Sequence, residues 1–241
     1  MSELKGLIFD VDGTLAETER DGHRVAFNRA FAEAGLDWNW PISLYGELLD
    51  VAGGKERICY FLDRAHPDFI RPPAFEQFVA NLHKTKTRFY QELLATGSIP
   101  LRPGVRELLE NAQKEGLRLA IATTSALPNA IGLLEYAIAP DAVSWFEVIA
   151  AGDIVPRKKP APDIYLYVLE QMGLQPEECI AIEDSQQGLI AATQAGLKTV
   201  VTVNDYTRHQ DFSDAALVME SLADLEEPLM VLKNLLTQHK D

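Results

Sequence analysis

The chain has 241 residues, 47% of them hydrophobic, and sets 22 lysines and arginines against 36 aspartates and glutamates for a formal net charge of -14. That size suits one full domain with a smaller insertion, and the apolar content suffices for a core. So acidic a surface argues against nucleic acid or an anionic membrane as partner, and no apolar run is long enough to span a bilayer.

In chain order, an apolar strand is expected at Gly6–Phe9, followed at once by Asp10, Asp12 and Gly13. Helices are expected over residues 18–34, 43–49, 55–64 and 73–94, and Pro100, Pro103 and Gly104 mark a linker. Helix and strand then alternate. A helix over 105–115 ends at Gly116, strand 117–122 leads to Thr123, Thr124 and Ser125, and a further strand covers 147–150. Lys159 precedes a helix over Asp163–Met172 that ends at Gly173. Strand 179–182 delivers Glu183 and Asp184, helix 185–195 ends at Gly196, and a last strand covers 199–203. Several strands are apolar without alternation, as in a parallel sheet covered on both faces. The expectation is a doubly wound α/β core from residues 1–16 and 99–241, with a helical cap domain at 17–98.

The polar groups fall where such sheets bind ligands, at the carboxyl ends of strands. Paired carboxylates two residues apart, Asp10 and Asp12, can divide the work of nucleophile and proton carrier, although Asp and Gly also cap ordinary turns. A phosphate dianion beside them would be repelled, so a hard cation is needed. Mg²⁺ fits, with Asp184 and Glu183 completing the shell. Thr123, Thr124 and Ser125 stand where a helix is expected to start, and read either as phosphate ligands or as helix caps. Lys159 can neutralise Asp10 and a transferring phosphoryl group, whereas Arg157 and Lys158 read as solvated charges.

Within the insertion, Gly53 and Gly54 precede Lys55 and Arg57 at a helix start, a place for an anion or simply a loop-to-helix junction. Lys86 lies on the apolar stripe of the 73–94 helix, either facing an anionic substrate or snorkelling to the edge. Glu17 reads as a ligand for sugar hydroxyls or as a helix-start acid. Trp38, Trp40 and Tyr45 read as packing, with Tyr45 a candidate ligand contact.

Asp10 to Gly13, Thr123, Lys159 and Asp184, in this order, resemble the haloacid dehalogenase-like hydrolases. The resemblance implies Asp10 as nucleophile, Asp12 as general acid and base, Thr123 on phosphate and Lys159 stabilising charge. It places Mg²⁺ on Asp10, Asp184 and the Asp12 main-chain carbonyl. The presence of Asp12 argues against the dehalogenase branch. Residues 10–28 (DVDGTLAETERDGHRVAFN), 35–38 (GLDW), 45–49 (YGELL) and 53–58 (GGKERI) resemble the CbbY-type phosphatases in particular. That resemblance implies hydrolysis of the 1-phosphate of xylulose 1,5-bisphosphate, a Rubisco inhibitor, beside the Calvin cycle. A phosphoglycolate phosphatase, a β-phosphoglucomutase-like enzyme and a non-catalytic phosphometabolite-binding protein are the alternatives. The partner expected is a small sugar phosphate, with no nucleic acid and no membrane. A monomer is expected in the cytoplasm, where the two cysteines, Cys59 and Cys179, stay reduced, or in the plastid stroma of an alga.

Overall fold

The computed structural model describes residues 3–51 and 53–237. The chain forms two compact units, one built from the residues up to Glu17 together with those from Pro100 onward, the other from Thr18–Ile99.

The first unit is α/β. Its strands are β1 (Gly6–Phe9), β2 (Arg118–Thr123), β3 (Phe146–Ala151), β4 (Cys179–Glu183), β5 (Lys198–Thr202) and β6 (Leu217–Met219). All pairings are parallel, in the order β3-β2-β1-β4-β5-β6. The sheet is therefore wound outward in both directions from β1, and the reversal lies between β1 and β4. Helices α5 (Val105–Lys114), α6 (Leu127–Leu133), α7 (Asp163–Met172), α8 (Gln186–Gln194) and α9 (Pro228–Thr237) complete the unit. On one face of the sheet Ile8, Ala120, Ala122, Ala150 and Ala181 meet Ile164, Val168 and Leu169 of α7 and Ala191 and Ala192 of α8. Four alanines on that face let helices settle close to the strands, so this core is dense without large side chains.

β6 was not expected from sequence. Its three residues are only partly covered, and so short a run at a sheet edge carries no periodic signal. Helix α6 also starts later than expected, at Leu127 rather than at Thr123 to Ser125, and its N-cap Ala126 offers no side-chain cap. The three hydroxyl residues are thereby left for other work. Cys59 and Cys179 are free thiols. Among the described residues no helix is long and apolar enough to cross a membrane.

The second unit is helical: a π-turn at Glu19–His23 runs into α1 (Arg24–Glu33), followed by α2 (Ile42–Leu48), α3 (Gly54–Ala65) and α4 (Phe75–Ala95). Its centre is aromatic. Trp40 is fully buried, its ring centroid 4.7 Å from Phe27, 4.9 Å from Phe31 and 5.4 Å from Phe61. The Asn28 side chain clamps the Trp40 main chain, accepting from its N–H at 2.7 Å and donating to its carbonyl at 3.0 Å. Such rings supply large buried area with fixed geometry, which suits a small unit built only of helices.

His83 of α4 is half-buried among Lys86, Lys55 and His23; burial first, then those charges, lower its pKa to about 4, with Glu56 opposing. An unfolded histidine binds a proton near pH ~6.5, whereas the folded one refuses it until about 4. Stability from this group is therefore complete above the unfolded value and is lost as pH falls through that window. Measured side by side by urea unfolding with tryptophan fluorescence, the wild-type midpoint should lose ground relative to that of His83→Gln between pH 7 and pH 5, and a difference that does not change with pH would remove His83 from the balance.

Candidate active site

Strand register brings the polar residues together. Phe9 pairs with Ile121 on one side and Ile182 on the other, so Asp10, Ala122 and Glu183 fall level at the carboxyl end of the sheet. The Asp10 amide continues the ladder, donating to the Ile182 carbonyl at 3.0 Å. Beyond it the chain turns tightly, with the Leu15 amide on the Val11 carbonyl at 2.9 Å and the Gly13 amide on that of Ala16 at 2.9 Å.

Lys159 reaches in from the loop before α7 and is buried. Its ammonium donates to Asp10 Oδ1 at 2.7 Å, Glu183 Oε1 at 2.6 Å and the Ala122 carbonyl at 2.9 Å, which uses all three of its protons. Tyr165 of α7 donates its hydroxyl to the same Glu183 oxygen at 2.5 Å, and the Lys159 ammonium lies 5.1 Å above its ring. The other Glu183 oxygen accepts from the Asp184 amide at 3.2 Å. Asp184 in turn accepts from the Asn204 side-chain amide at 2.7 Å.

Asp10, Glu183 and Asp184 are buried and offer carboxylate oxygens within 4.8 Å of one another. Burial raises the Asp10 carboxyl to about 8 against the pull of Lys159, and it also raises that of Asp184 well above the usual carboxylate range, Asp10 and Glu183 adding their repulsion. The two carboxylates facing Lys159 outweigh its burial and hold the ammonium charged. Buried acids crowded this way call for a cation: a divalent ion would return Asp10 and Asp184 to the ionised form, and hard oxygen donors of this kind suit one. Glu183 already receives Lys159, Tyr165 and an amide, so Asp10 and Asp184 are the acids left to bind it.

Two glycines make the crowding possible. A Cβ on Gly13, whose φ is 82°, would overlap the Asp184 carboxylate, and one on Gly188 of α8 would overlap that of Glu183. The remaining expected residues of this unit lie around the same end. Asp12 is half-buried and accepts from the Ser125 hydroxyl. Thr123 is buried and its hydroxyl oxygen accepts from the Ser125 amide at 3.1 Å, while Thr124 is exposed. Glu17 lies 3.3 Å from Arg102.

Tyr45, Arg57 and Lys86 are interior residues of the helical unit. Arg57 donates to the Tyr45 hydroxyl at 2.9 Å and to the Leu48 carbonyl at 3.0 Å, and Tyr45 donates to Glu19. Lys86 lies 2.9 Å from His23 Nδ1, above the rings of Phe27 and Tyr90. Lys55 is exposed in the first turn of α3, and Gly53 is the N-cap of that helix.

Sequence reasoning missed Tyr165 and Asn204. Asn204 carried a usable signal, a polar residue just past an apolar strand, as Asp184 does. Tyr165 carried none, because an aromatic on the buried face of α7 looks like any core residue.

The family model of haloacid dehalogenase-like hydrolases matches residues 4–196. Protein CbbY of Rhodobacter capsulatus is 50% identical over 213 residues, covering 88% of this chain and 91% of that protein. The crystal structure of CbbY from Rhodobacter sphaeroides with phosphate is 45% identical, with a TM-score of 0.84 over 92% of this chain and 96% of that one. A point mutant of the same protein, crystallised with xylulose 1,5-bisphosphate, matches equally well.

Replacing Lys159 by methionine would strand Asp10 and Glu183 as a buried like-charged pair. Lys159→Met should lower stability to urea by about 3–5 kcal/mol, the usual result of removing one partner from a buried ion pair. Equilibrium unfolding of the metal-free protein measures it.

Proposed function

The chain belongs to the haloacid dehalogenase-like hydrolases, and from that premise we propose that it is a Mg²⁺-dependent phosphatase removing the 1-phosphate of xylulose 1,5-bisphosphate. The observation that carries the substrate is the 45% identity, at a TM-score of 0.84, to a CbbY crystallised with that sugar bisphosphate.

Mg²⁺ would be held by Asp10, Asp184 and the Asp12 main-chain carbonyl, and would offset charge on the phosphoryl oxygens. The Asp10 carboxylate attacks phosphorus and the ester P–O bond breaks, leaving an aspartyl phosphate. Asp12 gives its proton to the departing sugar oxygen. It then takes a proton from the water that attacks the same phosphorus. The bond to Asp10 breaks, inorganic phosphate leaves and the carboxylate is restored. Lys159 balances the charge that builds on the phosphoryl group, and Thr123, Thr124 and Ser125 bind its oxygens.

The second phosphate of the sugar is assigned to Lys55, Lys86 and the amides of Gly53 and Gly54, and the sugar hydroxyls to Glu17. Arg57 and Tyr45, already bonded to each other, support that assignment from behind by holding the chain between Leu48 and Val51. A sugar phosphate is thus the partner proposed.

The deciding experiment is kcat/KM with Mg²⁺ for xylulose 1,5-bisphosphate beside ribulose 1,5-bisphosphate, 2-phosphoglycolate and β-glucose 1-phosphate. The xylulose compound should lead clearly, and Asp10→Asn or EDTA should abolish its turnover. A lead for 2-phosphoglycolate, or conversion of glucose 1-phosphate to its 6-phosphate, would overturn the substrate while keeping the chemistry. Lys86→Ala should lower kcat/KM for the bisphosphate by at least about tenfold, the scale of a lost charge-assisted hydrogen bond of 1.5–3 kcal/mol. Turnover of p-nitrophenyl phosphate, which lacks a second phosphate, should change far less. Equal losses on the two substrates would make Lys86 purely structural.

A further inference from the structure

Arg102 is a buried charge that the proposed chemistry does not use. It stands three residues into the segment that resumes the α/β unit, and its side chain is 6% exposed. Its acceptors are main-chain carbonyls drawn from three separate parts of the chain. Nη1 donates to the carbonyls of Gly13 and, at 3.0 Å, Thr202; Nη2 donates to those of Val203 at 2.6 Å and Glu220 at 2.7 Å. The remaining nitrogen, Nε, faces Glu17 Oε1 at 3.3 Å. The Arg102 backbone is tied as well, its amide donating to the Leu15 carbonyl at 2.8 Å, next to the bridge between Ala16 and Leu101.

The carbonyls it gathers are those that flank the site. Gly13 belongs to the turn after Asp12. Thr202 and Val203 lead into Asn204, whose side chain orients Asp184. A planar guanidinium offers donors in a fixed fork, and only such a group can hold these carbonyls at set angles; an ammonium of similar reach has three donors and no plane. Its charge also works against the burial that raises the Asp184 carboxyl.

We infer that Arg102 is a positioning residue of the active site, setting the spacing of Asp12 and Asp184 by pinning the Gly13 turn and the Thr202–Asn204 loop to one rigid group. This rests on the phosphatase reading above. Arg102 acts through the two loops, and the effect it has on a metal passes through the Asn204–Asp184 hydrogen bond.

The test is Arg102→Lys, which keeps the charge and loses the fork. Thermal unfolding first establishes the folded fraction, and Mn²⁺ binding is then followed by electron paramagnetic resonance, apart from any turnover. The expected result is Mn²⁺ binding weakened by about 10–100-fold, the range for groups that orient metal ligands. In parallel, kcat for p-nitrophenyl phosphate should fall while KM stays nearly constant. A folded variant with wild-type Mn²⁺ affinity would overturn the inference, as would a kcat loss matching only the unfolded fraction.

Should Arg102→Lys not fold, Asn204→Ala decides, because it leaves Arg102 in place and cuts the same path. It must weaken Mn²⁺ binding, and an unchanged affinity would again overturn the inference. Wild-type protein that binds Mn²⁺ yet turns over no phosphate ester would refute the phosphatase reading instead.

Discussion

The buried Lys159 ammonium sits within 2.6–2.9 Å of Asp10, Glu183 and the Ala122 carbonyl. Three carboxylates share that end of the sheet, and one interior cation answers two of them. The balance is incomplete, which is why burial and mutual repulsion push Asp10 and Asp184 toward the protonated state. A nucleophilic carboxylate must be ionised to attack. The site therefore carries a demand for positive charge that Lys159 meets in part and that a divalent ion would complete. Glu183 serves this arrangement without facing the reaction: held by Tyr165 and the Asp184 amide, it fixes where the Lys159 ammonium can go.

Placing so many acids close together is a problem of backbone more than of side chains. The parallel register sets Asp10 and Glu183 level on neighbouring strands, and the switch in winding between β1 and β4 leaves their carboxyl ends open. Gly13 and Gly188 then remove the two Cβ atoms that would collide with the carboxylates. Arg102 completes the frame by holding main-chain carbonyls, and Asn204 by holding the Asp184 carboxylate. Precision here comes from main-chain atoms tied to a sheet, which is stiffer than any set of flexible side chains.

Much of this was legible in the sequence, for a physical reason. A strand buried on both faces is uniformly apolar, so the first polar residue after it stands out, and Asp10, Thr123 and Glu183 each occupy that position, with Asp184 next in line. Helix ends were legible where glycine closed them, as at Gly173 after α7, whose span Asp163–Met172 was read without error. What escaped were tertiary facts. β6 is three residues long at an edge, Tyr165 is spaced like core, and nothing in Leu101-Arg102-Pro103 shows that a guanidinium will meet four carbonyls. The hydroxyls of Thr123 to Ser125 were expected at a helix start because Ser and Thr are good caps. The helix begins at Leu127 instead, and Ser125 turns to Asp12.

The helical unit handles charge on the same principle with the opposite sign. With a formal net charge of -14, the chain repels an anionic substrate at long range, so attraction has to be local and held in place. Lys86 is 5% exposed, stacked over two rings and bonded to His23; Arg57 is 8% exposed and spread over Tyr45 and two carbonyls. Neither is a mobile surface cation screened by salt. Their side chains have already lost the freedom that binding would otherwise remove, so on the proposed reading a phosphate meeting Lys86 would gain more than from a mobile surface cation. His83, kept neutral by burial and by Lys86, Lys55 and His23, has a pKa of about 4, so it carries no positive charge at neutral pH and gains one only as the solution approaches that value. On the reading proposed above, cations fixed in this way select a phosphate by its distance, because the surface as a whole is acidic and repels it.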